Sequence, residues 1–220
     1  MSGNETEARV RAELVAYAKK MSAAGLVAAT AGNVSVRVPG ADDRVAVTPS
    51  GVVYDEMRPE QVVIVDLHGH VIDSPAGEKP SYETPLHCAI LRARPDAGAV
   101  FHTHAPNVSA LSVLRKPLVP VMDEMVVYLG GTVEVAEYAF SGTDDLAKNA
   151  VAGLGDRAGV MLANHGNICV GRDLAEAFKV AQVMEAGARI YLDALKAGTP
   201  VELPSDAIAH GRAMYEARKG

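Results

Sequence analysis

His102 and His104 stand at the end of the apolar run Ala97-Gly98-Ala99-Val100-Phe101. Side chains alternate faces along a strand, so residues 102 and 104 point the same way and can grip one ion. Taken alone, two neighbouring histidines more often cap a strand as hydrogen-bonding surface groups. The rest of the sequence changes that reading. A second apolar run, Gly159 to Ala163, ends in Asn164-His165-Gly166-Asn167, and the acid-bearing loop Pro80-Ser81-Tyr82-Glu83-Thr84-Pro85 opens a helix upstream. Three histidines and a carboxylate make a coordination set for a borderline-soft divalent cation, above all zinc.

Other polar residues read differently. Glu83 and His87 lie four apart and can share a helix face, but a histidine one turn into an apolar helix is better read as a core residue with a satisfied hydrogen bond. His68 and His70 flank a turn glycine and His210 falls in a polar tail, so all three read as solvated. Two glycine-containing loops, Thr30-Ala31-Gly32-Asn33 and Thr48-Pro49-Ser50-Gly51, can receive an anion. Glycine lets backbone N–H groups approach a phosphate, and Thr, Ser and Asn add donors without a net charge. Each loop alone is an everyday turn; beside Ser81 the two suggest a phosphate cradle next to a metal, which suits a phosphorylated sugar.

The elements that must position these residues follow from periodicity. Val10, Leu14, Tyr17, Ala18 and Met21 mark an amphipathic opening helix that stops at Gly25. A Pro39-Gly40 turn joins strands 34–38 and 44–48. Strand 62–67 turns at 68–70 into a short return at 71–72, and Thr84 caps a helix from Pro85 to Arg94. There follow strand 98–103, a helix from Pro106, a proline-punctuated crossing through Pro117 and Pro120, strand 132–136, helix 144–154 capped at Thr143, and strand 159–163. Helix 174–197 and a polar tail helix 205–218 close the chain. Strands interleave with helices and no repeat or linker intervenes, which predicts one α/β domain over residues 1–220.

Bulk composition narrows the function. With 220 residues, 49% of them hydrophobic, the chain can bury a full core, and with no Trp and three Phe that core must be aliphatic. A formal charge of −6 argues against a general nucleic-acid surface. No apolar run approaches the roughly 18 residues of a membrane span, and the polar opening Ser2-Gly3-Asn4-Glu5 does not read as a signal peptide, so no membrane partner and a cytoplasmic location are expected. Cys88 and Cys169 form no paired motif and read as buried reduced thiols.

Thr30-Ala31-Gly32-Asn33-Val34-Ser35, Thr48-Pro49-Ser50-Gly51, Pro80-Ser81-Tyr82-Glu83, His102-Thr103-His104 and Asn164-His165-Gly166 occur in this order, and through them the sequence resembles the class II aldolase family that includes L-fuculose-phosphate aldolase and L-ribulose-5-phosphate 4-epimerase. The likeness runs over residues 8–205. It implies a three-layer α/β/α domain around a mostly antiparallel sheet, usually in a homotetramer with active sites at subunit interfaces. It also implies one Zn²⁺ per subunit on His102, His104 and His165, with Mn²⁺, Co²⁺ or Fe²⁺ as alternatives. Glu83 would be a fourth ligand able to leave the metal and act as acid and base, while Gly32, Asn33, Ser50, Gly51 and Ser81 would hold a phosphate. The implied reaction is reversible cleavage of a phosphorylated ketose, such as L-fuculose 1-phosphate, to dihydroxyacetone phosphate and an aldehyde, the metal holding the enediolate oxygens.

The family pattern is not followed throughout. Ser81-Tyr82 stands where fuculose-phosphate aldolase has adjacent serines, and Glu124 falls where that enzyme draws a proton-donating tyrosine from a neighbouring subunit. Tyr82 and Glu124 are therefore read as substrate-facing, with Tyr128 and Tyr215 as other sources of the proton, and the aldehyde or even the reaction can differ. A 4-epimerase, which usually carries Asp at the position of Glu83, and a sugar-acid phosphate decarboxylase or dehydratase are the alternatives. An adducin-like binding module without metal chemistry is disfavoured by the intact histidines and Glu83.

Overall fold

Every strand in the computed structural model, which describes residues 3–219, joins one sheet. Ser2 of the polar opening lies outside the described residues. Strand β1 (Asn33–Val38) turns at Pro39-Gly40 into β2 (Ala41–Val47), and β3 (Val63–Asp66) returns as β4 (Val71–Asp73). Then come β5 (Ala99–Thr103), β6 (Val135–Ala136), β7 (Gly159–Leu162) and β8 (Gly166–Gly171). The order across the sheet is β4-β3-β2-β1-β5-β8-β7-β6, and every neighbouring pair is antiparallel except β6 with β7.

Helices cover both faces, giving the three layers that the sequence implies. Helices α1 (Gly3–Ala23), α3 (Pro106–Leu114) and α6 (Leu174–Ala197) pack together over one side. On the outer side of α6 lies α4 (Asp123–Leu129), which also carries α7 (Ser205–Lys219). On the opposite face α2 (Thr84–Ala93) pairs with α5 (Asp144–Leu154). The core is aliphatic, with Leu14, Met21, Ile64, Ile90 and Leu111 fully buried and Phe101 the large aromatic buried with them. No helix among the described residues is long and apolar enough to cross a membrane.

Thr143, the cap expected for α5, accepts from the Leu146 N–H, and Asp173 caps α6 by accepting from the Glu176 N–H. Helix α2 departs from this pattern. Thr84 is its first helical residue, with its hydroxyl donating to the Ser81 carbonyl at 2.6 Å, and Glu83 occupies the cap position without capping. Two elements give no periodic signal. Strand β8 is buried on both faces, so its residues do not alternate. Helix α4 has only seven residues and two adjacent valines, poor helix formers, and it rests on packing against α6 and α7 until Gly130 ends it in the left-handed region. The strand expected at 132–136 shrinks to Val135–Ala136, preceded by an isolated pairing of Val133 with Leu118.

Helix α2 is tied to the sheet by a hydrogen bond between His87 Nδ1 and Ser35 Oγ on β1, at 2.7 Å. His87 is fully buried, and burial, reinforced by the charge of His102 against that of Glu83, lowers its pKa from 6.5 to about 3. The folded protein thus holds His87 neutral while the unfolded chain takes up a proton below pH 6.5. Stability is complete above that pH and is lost as the pH falls towards 3. By pH 5 the loss from this residue should be about 2 kcal/mol. Denaturant titrations at pH 7.5 and 5 should show a smaller acid loss for His87→Gln than for the wild type; equal losses would assign the effect to other groups.

Candidate active site at the ends of three central strands

Adjacent strands β1, β5 and β8 bring one end of each to the same place. Antiparallel pairing sets Asn33 opposite His102 and Thr103 opposite Asn167. His104 follows β5, His165 precedes β8, and Glu83 stands just before α2. The Nε2 atoms of His102 and His104 are 3.1 Å apart, Glu83 Oε2 lies 3.0 Å from His102 Nε2, and Glu83 Oε1 lies 3.4 Å from His165 Nε2. A tetrahedral cation with bonds of 2.0–2.1 Å holds neighbouring donors about 3.3–3.4 Å apart, and these three separations are close to that, with the ligand atoms of the three histidines all within 4.8 Å of one another. The His102 Nδ1–H donates to the Asn167 carbonyl at 3.1 Å, which leaves Nε2 as the lone-pair nitrogen facing the others. Glu83 Oε1, though buried, accepts no hydrogen bond. The donor set therefore fits a divalent cation better than it fits itself.

The electrostatics point the same way. Burial alone would raise the pKa of Glu83, but the His102 and His165 imidazoles beside it and the Asn33 amide outweigh it and bring it down to about 2. His104 is lowered to about 4 by burial and then by the charges of His102 and His165. His165 is lowered by burial and then by His102. These groups thus hold the forms, ionised carboxylate and neutral imidazole, in which they can coordinate.

Beside the donors opens a cleft of about 340 Å³, lined by Gly32, Asn33, Ser50, Gly51, Ser81, Tyr82, Glu83 and His104. Gly32 adopts φ +73°, and a Cβ there would lie 2.6 Å from the His102 carbonyl oxygen, so this loop is pressed against β5. From behind, the buried Tyr54 hydroxyl donates to the carbonyls of Gly32 at 2.6 Å and Ala31 at 3.1 Å. The Ser50 N–H donates to Lys79 O and the Ser81 N–H to Thr48 O, which joins the second loop to the segment carrying Glu83.

The structure thus gathers Gly32, Asn33, Ser50, Gly51, Ser81, Tyr82, Glu83, His102, His104 and His165. The Asn33 amide, however, donates to Glu83 Oε2 at 3.1 Å. His87 is absent from the converging set, and His68, His70 and His210 are exposed elsewhere. Glu124 is exposed at the start of α4, outside the cleft of its own chain. Tyr128 is half-buried with the Arg218 guanidinium 4.1 Å over its ring. Tyr215 is buried with its hydroxyl donating to Asp156 O at 2.8 Å, and burial pushes its pKa up to about 12. Neither phenol opens on the cleft. Tyr82 does, with 62% of its surface exposed and its phenol hydrogen-bonded to Ser141.

Sequence reasoning missed Ser141, whose Oγ lies 3.4 Å from His165 Nε2, and which sits in a loop with no motif. It also missed Tyr54 and Asn167, whose Oδ1 accepts from Thr103 at 2.7 Å behind the histidines. The His-Gly-Asn run around β8 was the available signal for Asn167.

Comparison with known proteins came to the same region of protein space. The sequence matches the profile described as Class II Aldolase and Adducin N-terminal domain over residues 12–192. It is 40% identical to a 5-deoxy-D-ribulose 1-phosphate aldolase of Bacillus thuringiensis serovar kurstaki, over 94% of this chain and 95% of that one. It is 38% identical to a 5-methylthioribulose-1-phosphate/5-deoxyribulose-1-phosphate aldolase of Rhodospirillum rubrum, over 90% and 86%. A solved L-fuculose 1-phosphate aldolase superposes with a TM-score of 0.89 at 34% identity, covering 94% and 96%.

Gly166 is where the donor set meets its support. A Cβ there would overlap the Thr103 carbonyl oxygen and reach 2.9 Å from His104 Cδ2 and 3.3 Å from His102 Cε1. Gly166→Ala should displace both rings, cost about 1–3 kcal/mol and lower Tm by roughly 2–12 °C. Thermal melts together with metal analysis test this, and wild-type values for both would mean that the packing is looser than described.

Proposed function

We infer the activity from one premise: the chain belongs to the family of class II aldolases and adducin N-terminal domains, and within it to the metal-dependent aldolases, which are lyases. The reaction we assign is reversible cleavage of a ketose 1-phosphate to dihydroxyacetone phosphate and an aldehyde. The observation that carries it is the set of four donors, spaced for a tetrahedral cation, in the wall of a cleft that the two glycine loops and Ser81 complete. The bound cation, which we take to be Zn²⁺ with Mn²⁺, Co²⁺ or Fe²⁺ as alternatives, supplies Lewis acidity to the substrate carbonyl.

His102, His104, His165 and Glu83 would hold that ion. Backbone N–H groups and hydroxyls at Gly32, Ser50, Gly51 and Ser81 would receive the phosphate. Glu83, ionised at neutral pH and only 2% exposed, is a base as it stands. In the synthetic direction it would take the proton from carbon 3 of dihydroxyacetone phosphate and pass it to the aldehyde oxygen as the C3–C4 bond forms; in cleavage the proton leaving the 4-hydroxyl as that bond breaks would travel by Glu83 to carbon 3. Burial keeps bulk water from exchanging with it.

For the aldehyde half, the exposed Tyr82 ring and Phe140, next to Ser141, offer an apolar surface, with the Tyr82 and Ser141 hydroxyls beside it. That surface suits an aldehyde ending in a methyl group, as from a 5-deoxypentulose 1-phosphate or L-fuculose 1-phosphate. We further infer a cytoplasmic homotetramer with sites at subunit interfaces, in which Glu124 serves a neighbouring cleft; exposed Val113, Leu114 and Met122 give such an assembly apolar surface to cover. An epimerase, decarboxylase or dehydratase would draw on the same donors, but the relatives at 35%, 38% and 40% identity are named aldolases.

Three measurements test the reading. Incubated with 5-deoxyribulose 1-phosphate or L-fuculose 1-phosphate, the protein should release triose phosphate, and do so faster than from a ketose 1-phosphate ending in CH₂OH; release of CO₂, or an epimer without triose phosphate, would overturn the assignment. His102→Ala should lose metal and activity together while keeping most of the fold, and full metal occupancy would refute its role as ligand. Glu83→Gln keeps the shape but cannot take the proton, so kcat should fall on the order of 10²–10⁴-fold. Near-normal turnover would move the proton transfer to another group.

A further inference from the structure

The side chain of Asn33 faces two ways, and only one end is satisfied. It is 3% exposed at the first position of β1, directly across from His102. Its Nδ2 donates to Glu83 Oε2 at 3.1 Å, the same oxygen that lies 3.0 Å from His102 Nε2. Its Oδ1 is buried and meets no partner. Turning the amide over would set that oxygen against a carboxylate oxygen, two acceptors in contact, so only the donor can face an ionised Glu83. The backbone leaves little freedom, because Gly32 is pressed on the His102 carbonyl and Tyr54 clamps the carbonyls of Ala31 and Gly32.

We propose that Asn33 is a positioning residue for Glu83, its amide serving the carboxylate and not the phosphate of a substrate. This deepens the aldolase reading and rests on it for the chemistry. With Oε2 held by the Asn33 amide, the other oxygen, Oε1, is the one without a hydrogen bond and free to exchange partners. The amide also gives the buried charge a partner that is not the cation. Glu83 can then give up coordination and take a proton without leaving the cleft wall or losing every compensating contact. A phosphate ligand at this position would have to compete with the carboxylate for the same amide.

The test needs no turnover. Metal affinity is measured by chelator competition, and inorganic phosphate affinity by calorimetry on the metal-loaded protein, for wild type, Asn33→Ala, Asn33→Asp, Ser81→Ala, Glu83→Ala and Asn33→Ala/Glu83→Ala. Loss of a residue that supports a ligand typically weakens metal binding about 10–100-fold, and Asn33→Ala should do so when Glu83 is present. On the Glu83→Ala background the same substitution should change metal affinity less than about twofold, because the residue it positions is gone. Inorganic phosphate should bind Asn33→Ala within about twofold of wild type while Ser81→Ala loses on the order of tenfold. Asn33→Asp, nearly isosteric, guards against a folding defect and should weaken metal binding at least as much as Asn33→Ala by setting a second charge against Glu83. In triose phosphate assays, kcat of Asn33→Ala should fall about 10–100-fold with KM nearly unchanged.

Phosphate loss in Asn33→Ala with metal affinity intact would make Asn33 a phosphate ligand and overturn the proposal. Equal metal loss with and without Glu83 would reduce it to a general effect on the loop and overturn it as well. Failure of the wild type to release triose phosphate would strike the aldolase reading alone, since the two binding measurements decide Asn33 without it.

Discussion

A carboxylate that water cannot reach must be compensated by what surrounds it, and Glu83 is such a group. Its neighbours are set by that requirement. His102 and His165 approach its two oxygens, and Asn33 supplies a neutral donor from β1. The position of Glu83 before α2 follows as well: a residue that would otherwise cap the helix has its carboxylate drawn into the cluster, and Thr84 and Ser81 close the helix start between themselves. The sheet provides the precision, because antiparallel pairing fixes Asn33, His102 and Asn167 relative to one another through backbone bonds and leaves little to side-chain choice.

How much of this can be read from sequence depends on whether a residue's partner is local. Alternation along β5 puts His102 and His104 on one face without knowledge of any other element. The caps at Thr143 and Asp173 are local too, and helices α5 and α6 begin beside them. By contrast β8 lies buried between β5 and β7, and its sequence carries no alternation for a pattern to catch. Helix α4 exists because α6 and α7 hold it, so a reading of Pro117 to Gly131 as a mere crossing misses it. The tail looks polar, yet Tyr215 is buried against the turn at Gly130, which removes it from the candidates for proton donation.

The same distinction runs through the site. Residue type and spacing bring Gly32, Ser50, Gly51, Ser81, Glu83 and the three histidines into one list, and the cleft and donor set include them all. What spacing could not assign is which partner each side chain chooses. Asn33 reads as an anion ligand because it follows Gly32, and spacing gives no hint that its amide donates to an acid fifty positions away. Ser141 has no motif, and only the return of its loop over Tyr82 and His165 makes it a neighbour of the metal centre.

The arrangement of the central strands also bears on how the protein folds. Hydrogen bonds of the site join residues 50 and 65 positions apart, and β5 must pair with β1 on one side and β8 on the other to complete the row. Contacts of such long sequence separation form slowly, because the chain must close large loops before any of them is rewarded. The four donors sit on three segments, at Glu83, at His102–His104 and at His165, and no hairpin or helix among the described residues holds two of these segments. Tight capture of a cation would therefore wait until all three segments have met, and metal uptake during refolding would report that meeting.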